Sequence, residues 1–315
     1  MYKNQLNQKN YYRIMLGRKS IFAKECYEGK WIGAGWLKSS SLENELVENW
    51  RDFNKKFIPN YLSTYDGSSK VAAGLACSML HGICKGIEID DLVLCPDGEG
   101  NYFVGEVKSD YFFIQETELP HRRKVEWYEK KISRTEMSIE LQRSTGSIGT
   151  VSKITKYAEE IENLIKGNRP SKIYSDDETI EDPSTFAMEK HLEDFLINNW
   201  SITSLGKTHD IFEEDGEKIG QQYQTDTGNI DILAISKDKK ELLVVELKKG
   251  RASDSVVGQI LRYMGYITTD LAEPDQIVRG CIIALEDDLR IKNALKITPS
   301  IDFYRYEVSF NLKKN

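Results

Sequence analysis

The most constraining stretch of this chain is a pair of apolar segments, residues 229–236 and 241–249, joined by Lys237-Asp238-Lys239-Lys240. Short runs rich in Ile, Leu and Val on either side of a polar tetrapeptide read as the two strands of a hairpin. The first, Ile230-Asp-Ile-Leu-Ala-Ile235, is apolar on both faces except at Asp231. A carboxylate placed there loses hydration that only a cation or hydrogen bonds can replace. In the second, Leu242-Leu-Val-Val-Glu246-Leu-Lys248, strand alternation puts Leu242, Val244, Glu246 and Lys248 on one face, with Glu246 and Lys248 about 7 Å apart. Paired as a hairpin, the strands can bring Asp231 and Glu246 opposite one another near one end of a sheet. Two hard carboxylates with a backbone carbonyl and water make a Mg²⁺ site, and the adjacent ammonium can orient or deprotonate an attacking water.

The flanking segments supply further candidates. A helix from about Ser253 to Thr268 packs through Val256, Ile260, Met264 and Ile267 and carries Gln259 and Tyr263 one turn apart, suited to hold a phosphate or the lysine. Upstream, a helix with Met188, Leu192, Phe195 and Leu196 on one side carries Glu189, which can offer a third carboxylate. Glu193, four residues on, shares nearly the same face, and the sequence leaves the choice open. A strand at Cys281–Leu285, a helix near Leu289–Leu295 and an alternating strand from Phe303 to Leu312 complete an α/β unit over residues 186–315.

Asp231, Glu246-Leu-Lys248, Gln259 and Tyr263 together resemble the core of the PD-(D/E)XK nucleases, and GNIDILAI…ELLVVELKKGRASDSVVGQILRYMGY resembles the NucS-type endonuclease domain in particular. The resemblance implies a restriction-endonuclease-like mixed sheet flanked by helices and Mg²⁺- or Mn²⁺-dependent hydrolysis of DNA phosphodiesters. It also implies that Asp231 and Glu246 bind metal, that Lys248 positions or activates water, that Gln259 with Tyr263 supports the site, and that Glu189, or Glu193 in its place, contributes from the early helix.

With 315 residues the chain has room for about two domains. Residues 11–127 read as strand-rich, with apolar segments at Trp31–Trp36, Asp91–Leu94 and Tyr102–Val107 and one helix over Ser69–Lys85 whose Val71, Ala72, Leu75, Met79 and Ile83 recur at helical spacing. The pattern turns helical over 129–167, and the acidic stretch 171–185 reads as a linker. The expected organisation is therefore a domain at 1–128, a helical connector and acidic linker at 129–185, and a nuclease domain at 186–315.

WIGAGW, EIDDLVLCPDGEGNYFVGEVKSDYFF and Pro120-His-Arg-Arg-Lys-Val-Glu-Trp127 resemble, less specifically, the N-terminal domains of Mrr-like modification-dependent restriction proteins, themselves similar to PUA and EVE small α+β barrels. This resemblance implies a domain that samples a modified, flipped-out base. Trp31, Trp36, Tyr102 and Tyr111 are its aromatic candidates, and Arg122, Arg123 and Lys124 its phosphate contacts, against the alternative of core aromatics and a solvated basic loop.

The expected function is a restriction or phage-defence endonuclease recognising modified DNA, with a NucS-like repair endonuclease for mismatched or branched DNA, or a non-cutting nucleic-acid sensor, as alternatives. DNA is the expected partner, and a homodimer would be the easiest way to cut both strands. The net charge of −7 speaks against bulk electrostatic binding but not against a local basic track. No run approaches the roughly 18 apolar residues of a membrane span. Five cysteines without a C-x-x-C pair fit reduced thiols in the cytoplasm. Cys77, His81 and Cys84 share a helix face but sit among apolar neighbours and read as packing, and His121, His191 and His209 lack a nucleophile partner.

Overall fold

The computed structural model describes residues 9–146, 149–167, 192–213 and 218–307. The chain is a mixed α/β protein of two compact units, Met1–Tyr174 and Ser175–Asn315. The expected acidic linker, Glu189, His191 and the end of the last predicted strand lie outside the described residues.

The first unit contains β1 (Tyr11–Ile14), α1 (Ala23–Gly29), β2 (Trp31–Ala34), α2 (Trp50–Thr64), α3 (Lys70–His81), β3 (Leu92–Pro96), β4 (Asn101–Val107), β5 (Phe112–Phe113), β6 (His121–Trp127), β7 (Ile132–Ser133), α4 (Ile139–Thr145), β8 (Val151–Lys153) and α5 (Ala158–Lys166). Its strands form one sheet in the order β2-β6-β4-β3-β1-β8, with β5 against β6 and β7 against β4. Among the described residues of this unit, only β1 and β3 pair in parallel. The predicted helix over Ser69–Lys85 is α3 with a π turn at Gly82–Gly86. It starts where the Ser69 hydroxyl accepts the Ala72 N–H at 3.2 Å.

The sequence reading saw one helix in this region and missed α1 and α2. Helix α2 carries Pro59 and a weak apolar stripe, so its stability comes from packing, not from its own pattern. The Asn54 amide reaches across to Gly74 O (3.0 Å) and Ser78 Oγ (2.9 Å) of α3. Residues 129–167 also differ from expectation. They do not form a connector: β7 and β8 join the sheet, and Met137, Leu141, Ile154, Ile161 and Leu164 pack on Tyr11, Leu92, Leu94, Tyr102 and Val104. Ile161 and Leu164 of α5 close this core, with Tyr157, Ala158 and Ile165 packed against it.

The second unit contains α6, described over 192–199, then β9 (His209–Ile211), β10 (Gln221–Thr225), β11 (Gly228–Ser236), β12 (Glu241–Arg251), α7 (Ser255–Tyr266), β13 (Ile277–Glu286), α8 (Leu289–Lys296) and β14 (Ile301–Arg305). The sheet order is β10-β11-β12-β13-β14, with β9 also on β11. Pairing is antiparallel from β10 to β12 and parallel from β12 to β14, which is the mixed sheet expected. One face, with Ile232, Ala234, Leu243, Val245 and Leu247, packs on Leu192, Leu196, Ile197 and Trp200 of the α6 region. The other is covered by α7, which comes so close at Gly280 that a Cβ there would stand 2.9 Å from Met264 Sδ.

Candidate active site

The predicted hairpin forms with Ile232 opposite Val245 and Leu233 opposite Val244. One step further along this register, Asp231 faces Glu246 on the α7 side of the sheet, because the short turn fixes the pairing and the two-residue period does the rest. Glu246 is 2% exposed, and Lys248 Nζ lies 3.2 Å from its Oε1. Asp231 accepts the Leu247 N–H at Oδ2 (2.7 Å) and the Gln222 side-chain amide at Oδ1 (3.0 Å). Burial, and then the negative charge of Glu246, hold the Asp231 carboxyl well above the usual carboxylate range, only partly offset by the Leu247 N–H and Lys248.

Helix α7 delivers its two predicted residues. Gln259 Nε2 donates to the Tyr263 hydroxyl at 3.2 Å, and Tyr263 is 3% exposed. Its phenol is pushed up by burial and feels both Glu246 and Asp231. The hydroxyl also abuts the β10–β11 turn, since a Cβ on Gly228 would stand 2.8 Å from it.

Of the two helix carboxylates, Glu193 is the one the structure describes. Helix α6 covers the opposite face from α7, and β10 is the edge strand next to β11. Glu193 reaches this edge: its Oε1 accepts Gln221 Nε2 at 2.6 Å and its Oε2 accepts Gln222 Nε2 at 2.7 Å. Sequence reasoning missed both glutamines. The only local sign was the polar pair opening Gln221-Gln-Tyr-Gln-Thr225, a strand whose pattern shows no apolar alternation.

Of the recognition residues proposed for the first unit, Trp31, Arg122 and Lys124 meet on the β2–β6 pair, where Trp31 lies opposite Lys124, whereas Arg123 and Tyr102 are taken up by the core. The basic run is not a loop but strand β6, with inward His121, Arg123 and Val125 alternating with outward residues. Arg123 is 3% exposed and donates to Ser109 O (2.6 Å) and Ile87 O (2.6 Å), which corrects its assignment as a phosphate contact. Arg122 lies 3.6 Å over the ring of the buried Trp31 and donates to Leu119 O at 2.7 Å. Tyr102 is a core residue bonded to Thr145 Oγ1 at 3.1 Å. Tyr111 is half-buried, its hydroxyl taken by Leu42 N and His121 Nδ1 at 2.9 Å each. Trp36 is half-buried and Lys124 exposed.

His81, Cys77, Cys84 and His209 are engaged elsewhere or buried. His81 Nε2 bonds Val47 O at 2.7 Å, and burial pushes the thiols of Cys77 and Cys84 up, away from the thiolate a metal needs. His209 bridges Thr208 and Glu241 at the far end of the sheet. Among the described residues no three His, Cys, Asp or Glu side chains converge to hold a metal by themselves, and no helix is long and apolar enough to cross a membrane.

Comparison with known proteins separates the two halves. Residues 12–155 match a family model described as a domain of unknown function (DUF8426). Endonuclease NucS of Methanocaldococcus jannaschii is 36% identical over 75 residues, 24% of this chain and 27% of that protein. Endonuclease NucS of Sulfolobus acidocaldarius is 34% identical over 97 residues, 30% of this chain and 33% of that protein. The matched stretch thus spans about a quarter to a third of these relatives. The crystal structure of a repair endonuclease from Pyrococcus abyssi aligns at 16% identity and a TM-score of 0.31, covering 67% of this chain and 66% of that one. The segment that builds the whole carboxylate site, residues 188–296, matches the family model of the endonuclease NucS C-terminal domain.

Proposed function

We propose that the second unit is a divalent-metal-dependent DNA endonuclease of NucS type, acting on mismatched or branched duplexes. The observation that carries this reading is the apposition of Asp231 and Glu246 with Lys248 beside them, at the strand positions where the sequence pattern required a compensating charge. The matched NucS segments support the same chemistry and favour a repair role over restriction of modified DNA. Tyr102 is part of the core of the first unit and the Trp31 ring is buried under Arg122, which speaks against these two as free walls for a flipped base. Unit one, folded on its own core, is the natural substrate-selecting body, with a PUA-like ancestry as part of this proposal.

The donor set suits Mg²⁺ or Mn²⁺. Both groups are hard carboxylates, and burial, together with the negative charge of Glu246, disfavours the ionised Asp231, a cost that a divalent ion relieves. The ion would supply Lewis-acid polarisation of the phosphodiester. The residues do the rest. Asp231 and Glu246 would hold the cation, the Lys248 ammonium would orient the attacking water and offset developing charge, and the Gln259–Tyr263 pair would fix the wall against which the phosphate rests.

Incubating the full chain with plain, mismatched, branched and base-modified duplexes, in Mg²⁺, Mn²⁺ or EDTA, tests the proposal. Metal-dependent cutting of mismatched or branched DNA, lost in Asp231→Ala and Glu246→Ala while DNA binding persists, is the expected result. Undiminished cutting by both variants would remove the site assignment, and selective cutting of modified DNA would restore the restriction reading.

A further inference from the structure

We infer that Gln222 is a positioning residue that ties the helix carboxylate Glu193 to the metal-ligand carboxylate Asp231 through the two hydrogens of one amide; the inference rests on the nuclease reading above. Both contacts are short, 2.7 Å to Glu193 Oε2 and 3.0 Å to Asp231 Oδ1, and they leave from the same nitrogen, Nε2. A primary amide has two N–H bonds, so both are committed and the amide cannot rotate without losing one. Hydrogen bonds from an amide to carboxylates are among the stronger neutral-donor contacts, and here they join residues from opposite faces of the sheet.

The backbone supports the assignment independently. Gln222 lies in strand β10 at φ +50°, a left-handed conformation that a side-chain-bearing residue in a strand adopts only when its surroundings impose it. Its neighbours Gln221 and Tyr223 pair in register with Ile232 and Ile230, leaving Gln222 opposite Asp231. The departure therefore alters this residue without shifting the strand. Gln221 meets Glu193 Oε1 from the α6 face at 2.6 Å, and Gln222 meets Oε2 from the Asp231 face, so Glu193 is gripped across the sheet edge. Glu193 thus acts on the reaction through Gln222 and Asp231. Holding Asp231 Oδ1 from behind fixes the direction in which the carboxylate faces Glu246, the role that groups bonded to metal ligands commonly serve.

The test uses the full-length chain carrying Gln222→Met, which keeps the length and removes the donors, and Gln222→Gly, which also relieves the φ +50° backbone. Mn²⁺ binding is measured calorimetrically without DNA, and cleavage is measured with kcat and the KM for DNA separated. The expected result is a 10–100-fold weaker Mn²⁺ affinity in both variants, a comparable fall in kcat at fixed metal, and a KM for DNA within about twofold of wild type. Mn²⁺ affinity and kcat within about twofold of wild type would overturn the inference, as would a raised KM with both unchanged. Failure of both variants to fold, where Asp231→Ala folds, would also overturn it, by showing that Gln222 serves the fold. If the wild-type chain neither binds Mn²⁺ nor cuts DNA, the nuclease reading falls and this inference with it. If wild type does both and the variants match it, only this inference falls.

Discussion

Gly228 opens the strand that carries Asp231 at φ +137°, where a side chain is strongly disfavoured, and its missing Cβ leaves room for the Tyr263 hydroxyl, which that Cβ would approach to 2.8 Å. Gly228→Ala therefore has two costs. The backbone conformation alone accounts for about 1–3 kcal/mol. The overlap requires the hydroxyl to retreat by roughly half an ångström to reach ordinary contact. Tyr263 is 3% exposed, so the ring has little room and the 3.2 Å bond from Gln259 is the contact that gives, adding about 1 kcal/mol. Together these come to about 2–4 kcal/mol, enough to lower the melting of a unit of this size by about 5–15 °C. Scanning calorimetry of wild type, Gly228→Ala, Tyr263→Phe and the double variant separates the terms. Removing the hydroxyl should recover the steric share, about 1 kcal/mol, and leave the backbone share in place. A single variant that melts within a degree of wild type, or two substitutions that simply add, would refute the argument.

Lys248→Ala should slow single-turnover cleavage by about 100-fold or more while leaving Mn²⁺ affinity unchanged or tighter, because an ammonium cannot ligate the ion but can hold the water; equal losses in rate and metal binding would contradict that role. Because Asp231 is raised above its unfolded value, its ionised form is the one the fold disfavours. The metal-free protein should then lose stability relative to Asp231→Ala as pH climbs from about 4 through the raised folded-state value, and Mg²⁺ should reverse the loss. Melting temperatures of the pair across pH 4–8, with and without metal, measure this, and a difference that does not vary with pH would count against it. Arg123→Ala should destabilise the first unit by about 3 kcal/mol or more, since it strands the carbonyls of Ser109 and Ile87, whereas exposed Lys124→Ala should stay within about 0.5 kcal/mol. Lost DNA affinity without lost stability in Arg123→Ala would return it to the DNA-binding surface.

What could be read from the sequence was whatever a local period and a short turn dictate. A strand alternates every two residues, and a four-residue connection leaves one register, so the pairing of Asp231 with Glu246, with Lys248 beside Glu246, followed from the order of residues alone. Helical spacing placed Gln259 and Tyr263 on one side of α7 in the same way. A period states which face a residue occupies, not what covers that face. The basic run at 122–124 has the composition of a solvated loop, yet as strand β6 it turns Arg123 inward, because the carbonyls of Ile83, Ile87 and Ser109 are there to receive it. Residues 129–167 carry a helical stripe that fits a connector as well as a core wall, and only the apolar sheet beneath, with Leu92, Leu94 and Val104, decided between them. The grip of Gln221 and Gln222 on Glu193 joins residues nearly thirty positions apart through the edge of the sheet. No pattern within β10 announces it, since the left-handed turn of Gln222 that makes it possible is imposed by the packed structure around it.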